Sequence, residues 1–147
     1  MHNILDTEPG QLAYAGFSKR FFASLIDGVI IFFVLVAPLI ILAVAGASEE
    51  TVSAGAVIIQ LLAVVGSWIY EAVMDSSSKQ GTLGKMAVGI KVTDLEGKRI
   101  TFGRATGRHF GKYLSYFTMY IGYLMAAFTQ KRQALHDIIA GTLVLEE

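Results

Sequence analysis

The 147-residue sequence contains no cysteine, only two prolines and few charged residues. Because cysteine is missing, disulfides, thiolate zinc sites and a cysteine nucleophile are excluded. Charged residues make up 16% of the chain, well below the roughly 25% of an ordinary soluble domain. The twelve basic and twelve acidic residues cancel, so net charge favours no nucleic acid partner. With 54% hydrophobic residues, this scarcity of charge indicates a membrane protein.

Two long apolar runs predict two transmembrane helices arranged as an antiparallel hairpin. The first extends from about residue 17 to Val44 and the second from about Val52 to Met74. Both exceed or match the roughly 20 residues that a helix needs to cross a bilayer. Residues 1–16 form a polar lead without the basic leader and cleavage site of a signal peptide. The chain therefore divides into that lead and a membrane domain at residues 17–147.

A third helical region is predicted at residues 103–128, but its purely apolar part is short. That part, residues 113–128, spans sixteen residues, or about 24 Å. We interpret the region as re-entrant or interfacial, and a full third crossing with the tail outside is the alternative. Alternating residues at 88–93, a turn at 95–98, a return strand at 99–102 and a last strand at 142–145 predict a small cytoplasmic β-meander. The predicted fold class is an all-α integral membrane protein.

The loop charges predict the orientation of the chain in a bacterial inner membrane. The loop after the first helix contains Glu49 and Glu50 and no base, whereas the stretch after the second helix contains several lysines and arginines. By the positive-inside rule, the N-terminus and the basic loop are cytoplasmic in this multi-pass protein.

Asp27 lies inside the first apolar run and is the residue that most needs a partner. A charge at such a position costs about 2.5–3.5 kcal/mol on insertion scales, so it requires a partner or a hydrated cavity. Antiparallel folding of the two helices brings Asp27 to the depth of Glu71 and Asp75. The three carboxylates are a candidate cation site, or a set that shares protons. Alternatively, Glu71 and Asp75 only face lipid headgroups at the end of their helix.

Basic side chains form a second set of candidate residues. Arg20 is seven positions before Asp27 on nearly the same helix face, and it either reaches toward headgroups or meets an acid such as Asp137. Basic residues also recur every four positions at Arg104, Arg108 and Lys112. They are candidates for binding anionic lipid headgroups, and an ordinary positive-inside flank explains them equally well. No metal-ligand spacing and no nucleophile–base arrangement is visible, so we expect no metal, no cofactor and no enzymatic activity.

Three stretches in order resemble the RDD family of membrane proteins, named for one arginine and two aspartates. They are residues 20–27, residues 80–97 and residues 135–144. The proline that relatives often carry in the third helical region is absent from residues 115–118. The resemblance implies that Arg20 is the family's arginine and that Asp27 and Asp137 are its two aspartates. It also implies a structural turn that contains Thr82, Gly84 and Lys85.

Two functional hypotheses follow from the residues and the resemblance. In the first, the protein is a proton-coupled transporter of a small cation or other small solute, with Asp27 as the binding acid and Glu71 as its helper. Arg20 and Asp137 then form a charge pair that changes partner between states, and homo-oligomerisation supplies a pathway that two crossings can hardly enclose. In the second, Arg20, Asp27 and Asp137 form a buried polar lock in a lipid-binding or partner-binding protein that transports nothing.

Overall fold

The computed structural model describes residues 12–147, and it is mostly helical. The first long helix, Phe17–Val44, consists of α1 (Phe17–Ile31), a π-helical segment (Phe32–Val36) and α2 (Ala37–Val44). Pro38 lies in the first turn of α2. Because proline has no N–H to donate to the preceding turn, the regular hydrogen-bond ladder is interrupted there, next to the π-helical segment.

The second long helix, α3 (Glu49–Ser76), begins at a capped N-terminus. The Ser48 hydroxyl accepts a hydrogen bond from the Thr51 N–H at 3.2 Å, and two glutamates in the first turn complement the helix dipole. Both long helices are apolar enough to cross a membrane, and the most apolar window of each has no buried residue. Apolar surface of this extent requires lipid or protein around it.

The two long helices touch at both ends of their shared length. Near one end the Tyr70 hydroxyl donates a hydrogen bond to Asp27 at 3.1 Å. Near the other end Gly55 faces Leu39 so closely that an added Cβ would lie 2.8 Å from the leucine side chain. Only a short connection between Val44 and Glu49 separates the helices in sequence.

The third helical region is not one straight helix. Its two segments, α5 (Phe102–Phe117) and α6 (Ile121–Phe128), are separated by a break in which Met119 and Tyr120 have φ of 51° and 66°. A Cβ added to Gly122 would lie 2.6 Å from the Ser115 hydroxyl. The first turn of α6 therefore packs closely against the end of α5.

The chain after α6 returns to the beginning of α1. Arg132 donates a hydrogen bond to the Tyr14 carbonyl at 3.3 Å, and Arg20 donates one to the Arg132 carbonyl at 2.6 Å. Two short helices, α4 (Leu83–Ala87) and α7 (Leu135–Ala140), lie at the same end of the molecule, since both contribute to the charge network described below.

The sheet has two antiparallel strands, β1 (Ile90–Asp94) and β2 (Thr142–Glu146), in a register that pairs Val92 with Val144. The outer edge of β2 is covered by the chain before α1, where the Ala15 N–H donates to the Val144 carbonyl at 2.8 Å. The outer side of β1 is covered at Val92 by Gln80, which donates through its side-chain amide at 3.0 Å and accepts through its carbonyl at 2.6 Å.

The predicted three-stranded meander is wrong in one strand. Residues 99–102 form no strand, because the Thr101 hydroxyl caps α5 by accepting from the Arg104 N–H at 3.3 Å and the helix begins at Phe102. The last strand pairs with β1 directly. The buried apolar core lies around this sheet and the nearby ends of the helices, and it includes Ala15, Ala23, Ala72, Ile90, Val92, Ala105 and Val144.

Candidate functional site

A network of buried charges lies beside the sheet, where five helices meet. We call it the charge network, and its members come from α1, α3, α4, α5 and α7. They are Arg20, Glu71, Asp75, Lys85, Arg108, Lys112 and Asp137.

Asp137 accepts two arginines at once and anchors α7 to the rest of the molecule. Arg20 Nη1 lies 2.5 Å from Asp137 Oδ2, and Arg108 Nε lies 2.8 Å from Oδ1. The Ala134 N–H also donates to Asp137 at 3.1 Å, which caps the first turn of α7. Burial alone would raise the pKa of Asp137, but the positive charges of Arg108 and Arg20 hold that pKa well below its usual value. Asp137 is therefore ionised at neutral pH.

Arg108 lies inside the protein rather than at lipid headgroups, where we had expected it. It is 3% exposed, and its Nη1 lies 3.2 Å from Glu71 and 3.0 Å from Asp75. Burial lowers the pKa of Arg108, and the carboxylates of Asp137, Asp75 and Glu71 more than reverse this. The residue faces inward because α5 packs between α3 and α7, whereas Arg104 on the same helix is exposed.

Glu71 and Asp75 are both paired with basic side chains, and they share Arg108 and Lys85 as partners. Lys85 Nζ lies 2.6 and 2.7 Å from the two oxygens of the fully buried Asp75. Glu71 accepts a hydrogen bond from Lys112 and lies 2.8 Å from His109 Nδ1. Burial lowers the pKa of Lys85, although the charge of Asp75 opposes the shift. Glu71 and Asp75 are therefore bound by basic side chains, and Glu71 also lines a cavity together with Asp27, the third acid of the predicted cation site.

Asp27 is held by neutral donors alone. Its carboxylate accepts hydrogen bonds from the Thr82 hydroxyl at 2.6 Å, the Gly84 N–H at 2.8 Å and the Tyr70 hydroxyl at 3.1 Å. Within residues 12–147, the basic side chains that form salt bridges pair with other acids, and none pairs with Asp27. Asp27 is therefore a carboxylate in a long apolar helix that has no counter-ion among the residues that the structure describes.

The predicted structural turn makes close contact with α1. The Thr82 hydroxyl caps α4 by accepting from the Lys85 N–H at 3.4 Å. A Cβ added to Gly84 would overlap the Ala23 carbonyl oxygen and lie 2.9 Å from the Asp27 carboxyl carbon. Only glycine at this position lets the turn lie directly on the helix. Thr82 and Gly84 thus hold Asp27, while Lys85 reaches the charge network.

Two cavities adjoin these residues. The first, which we call the Asp27 cavity, has a volume of about 370 Å³. The second has a volume of about 360 Å³, and we call it the cationic cavity because Arg20, Lys85, Arg108 and Lys112 line it. Polar residues of the Asp27 cavity include Asp27, Tyr70, Glu71, Thr82 and His109. Among the described residues, no group of histidines, cysteines and acids is arranged to hold a metal ion.

Two histidines to which the sequence assigns no role, His109 and His136, lie in this region. His109 bonds to Glu71 through Nδ1, and its buried Nε2 has no hydrogen-bond partner within the described part of the chain. His136 lies next to Asp137 and is buried, and burial lowers its pKa to about 3. The signal available in the sequence is that His109 directly follows Arg108 and that His136 directly precedes Asp137.

The exposed apolar helices and the charge network at one end define a membrane protein rather than a soluble domain with a helical core. The chain matches the model of the RDD family over residues 14–141. It belongs to the RDD family. Of the three residues that give the family its name, Arg20 and Asp137 are in contact. The other aspartate, Asp27, bonds to neither of them and accepts from Tyr70, Thr82 and Gly84 instead.

Two relatives also resemble the chain, and both are described as uncharacterized. YxaI of Bacillus subtilis is 36% identical over 146 residues, covering 89% of this chain and 96% of YxaI. RP437 of Rickettsia prowazekii is 41% identical over 69 residues, covering 46% of this chain and 38% of RP437. No solved structure matches the chain.

Proposed function

We propose that the protein crosses a bacterial inner membrane twice as an antiparallel hairpin, with α5 and α6 as a re-entrant region. The contacts of Asp27 with Tyr70 and of Leu39 with Gly55 support the hairpin. The contact between Arg132 and Tyr14 supports a tail that lies on the side of the N-terminus. The basic loop before α5 makes that side the cytoplasmic one.

We further propose that the protein exchanges protons for a small cation at Asp27. The observation that carries this proposal is the missing counter-ion of Asp27, whose three donors are all neutral. An ionised carboxylate within the membrane is costly without a partner or a hydrated cavity, and neutral donors leave its negative charge uncompensated. A proton or a small cation entering the Asp27 cavity neutralises that charge.

In this proposal a proton and a cation compete for the one carboxylate of Asp27. A bound proton removes the negative charge that a cation needs, so occupation by one ligand releases the other. Glu71, which we had assigned as a helper, keeps its own basic partners and holds His109 at the wall of the same cavity. A site that alternates between the two ligands couples their movements in opposite directions.

Arg20 and Asp137 are proposed to close the cytoplasmic mouth. Asp137 contacts Arg108 as well as Arg20, so it keeps one counter-ion when Arg20 moves away. Breaking both contacts would leave a buried charge unpaired, which typically costs about 3–5 kcal/mol.

Because two crossings enclose little space, we propose that a homo-oligomer forms the complete pathway.

Ion flux in proteoliposomes tests the proposal. A sodium or potassium gradient should drive proton movement, reported by a pH-sensitive dye inside the vesicles, and Asp27→Asn should abolish it. Asp94→Asn is the matched control, because the Asp94 carboxylate accepts hydrogen bonds from Glu96 and Lys98 in its own turn and does not line the Asp27 cavity. Equal dye signals from the Asp27→Asn variant and the unmodified protein would refute a role for Asp27.

A second function, in which the charge network is a structural lock that transports nothing, is favoured by the burial of Arg108 and Asp137. In that case the unmodified protein moves no cation, and Asp137→Asn lowers the free energy of unfolding by about 3–5 kcal/mol, because Arg20 loses its acid and Arg108 loses one of its three acids. Lys19→Ala is the control, since the partly exposed pair of Lys19 and Glu146 is expected to contribute about 1 kcal/mol or less.

A further inference from the structure

The cationic cavity differs from the Asp27 cavity in the charges on its wall. Its charged lining residues are all basic, and they come from the charge network. They are Arg20, Lys85, Arg108 and Lys112.

These four bases contact only three carboxylates within the described residues, namely Glu71, Asp75 and Asp137. Each base contacts at least one acid, but the four bases exceed the three carboxylates by one positive charge. Lys112 has the most accessible side chain of the four bases, at 22%, followed by Arg20 at 13%. These two can meet an anion without disrupting the buried pairs of Arg108 and Lys85.

The rest of the cavity wall is apolar and aromatic, and part of it is exposed. Phe21 is 54% exposed, Tyr120 60% and Leu124 46%, and all three line the cavity. Phe21 belongs to the apolar surface of α1, which we place in the bilayer. The cavity therefore joins a basic interior to a hydrophobic rim.

We propose that the cationic cavity binds the phosphate of an anionic phospholipid from the bilayer. Lys112 and Arg20 contact the phosphate, and the acyl chains leave past Phe21 and Leu124. Charge complementarity favours an anion, since phosphate is a strong acceptor for lysine and arginine. The apolar rim favours a lipid over a free phosphate ion, because a soluble anion gains nothing from aromatic side chains at the entrance. The volume is within the range of about 300–1,000 Å³ that small-molecule sites occupy.

Native mass spectrometry of the full chain tests this proposal independently of ion transport. The protein is reconstituted in nanodiscs with equal amounts of phosphatidylglycerol and phosphatidylcholine, extracted in mild detergent and weighed with its retained lipid. We expect one phosphatidylglycerol per chain, retained about tenfold over phosphatidylcholine. Equal retention of the two lipids would overturn the proposal.

Two variants with matched controls locate the site. Lys112→Gln should reduce phosphatidylglycerol retention about tenfold, since it removes one charged hydrogen bond, whereas Lys131→Gln, which lies outside the cavity lining, should leave it unchanged. Ser24→Phe fills the cavity without changing charge, and Ser53→Phe on α3 is its control. Retention that is the same in each variant and its control would overturn the assignment.

Inorganic phosphate provides the remaining comparison. If the lipid is the ligand, millimolar phosphate leaves the retained phosphatidylglycerol in place, because it lacks the acyl chains that hold the lipid. If phosphate displaces the lipid completely, the cavity is a site for a soluble anion and the proposal fails.

Discussion

Asp27 and Gly84 depend on one another at the scale of single residues. The Asp27 carboxylate accepts the Gly84 N–H, and the missing side chain of Gly84 lets the α4 turn approach α1 closely enough for that bond to form. The sequence singled out both positions. It could not indicate that they touch, because they are far apart in the chain and only the packing of α4 on α1 brings them together.

Gly84→Ala should therefore destabilise the protein. The added Cβ would overlap the backbone of Ala23, and overpacking of this kind typically costs about 1–3 kcal/mol. Chemical unfolding in detergent micelles measures the change. Gly107→Ala in α5 is the matched control, because nothing lies within 4 Å of a Cβ added there, and we expect it to be neutral or slightly stabilising. Equal stability of the two variants would contradict the close contact.

At the scale of elements, the sequence predicted the helices better than the sheet. Long apolar runs identify the first two helices whatever their surroundings, and the structure confirms two helices long and apolar enough to span a membrane. The return strand at 99–102 was wrong because its alternating residues also fit a helix start, and the Thr101 cap decides between the two. Helix α7 was not predicted, since six residues carry too little periodicity to be recognised.

The docking of α7 should depend on pH through His136. Its folded pKa of about 3 is below the ordinary value of 6.5, so below pH 6.5 the unfolded chain binds a proton that the folded chain does not. The stabilising contribution is therefore complete above pH 6.5 and is lost as the pH falls, by about 1.4 kcal/mol per pH unit. The lowered pKa of Asp137 acts in the same direction at more acidic pH, below its ordinary 3.8.

Unfolding of the detergent-solubilised protein at several pH values measures this effect. Between about pH 7 and pH 5 we expect a loss of about 2 kcal/mol in the unmodified protein. His136→Gln should flatten the dependence in this range because glutamine has no proton to bind. An unchanged slope in that variant would assign the pH dependence to other groups.

At the scale of the whole molecule, the architecture places the N-terminal end of α1, the sheet and the chain after α6 together. The short apolar part of the third region favoured this arrangement over a third crossing, but sequence alone left both possibilities open. The contacts that support our proposal of a re-entrant region, such as that of Arg132 with Tyr14, involve residues that have no distinctive pattern. Their meeting depends on the break between α5 and α6, which the sequence marks with no proline or glycine at Thr118–Tyr120.

Single cysteines test this arrangement in a chain that otherwise has none. In intact cells, a membrane-impermeant thiol reagent should label Ala47→Cys, in the turn between the two long helices. It should label Lys98→Cys and Lys131→Cys only after the membrane is opened, because both lie on the proposed cytoplasmic side. Labelling of Lys131→Cys in intact cells would establish a third crossing instead of a re-entrant region.

We propose that Asp27, which has no counter-ion among residues 12–147, takes up a small cation or a proton. Infrared difference spectroscopy of the purified protein, recorded with and without sodium or potassium, observes carboxylates directly. We predict a shift of a carboxylate band on addition of the cation that persists in Asp94→Asn and disappears in Asp27→Asn. A spectrum that does not respond to either cation, or that responds equally in the Asp27→Asn variant, would contradict the account.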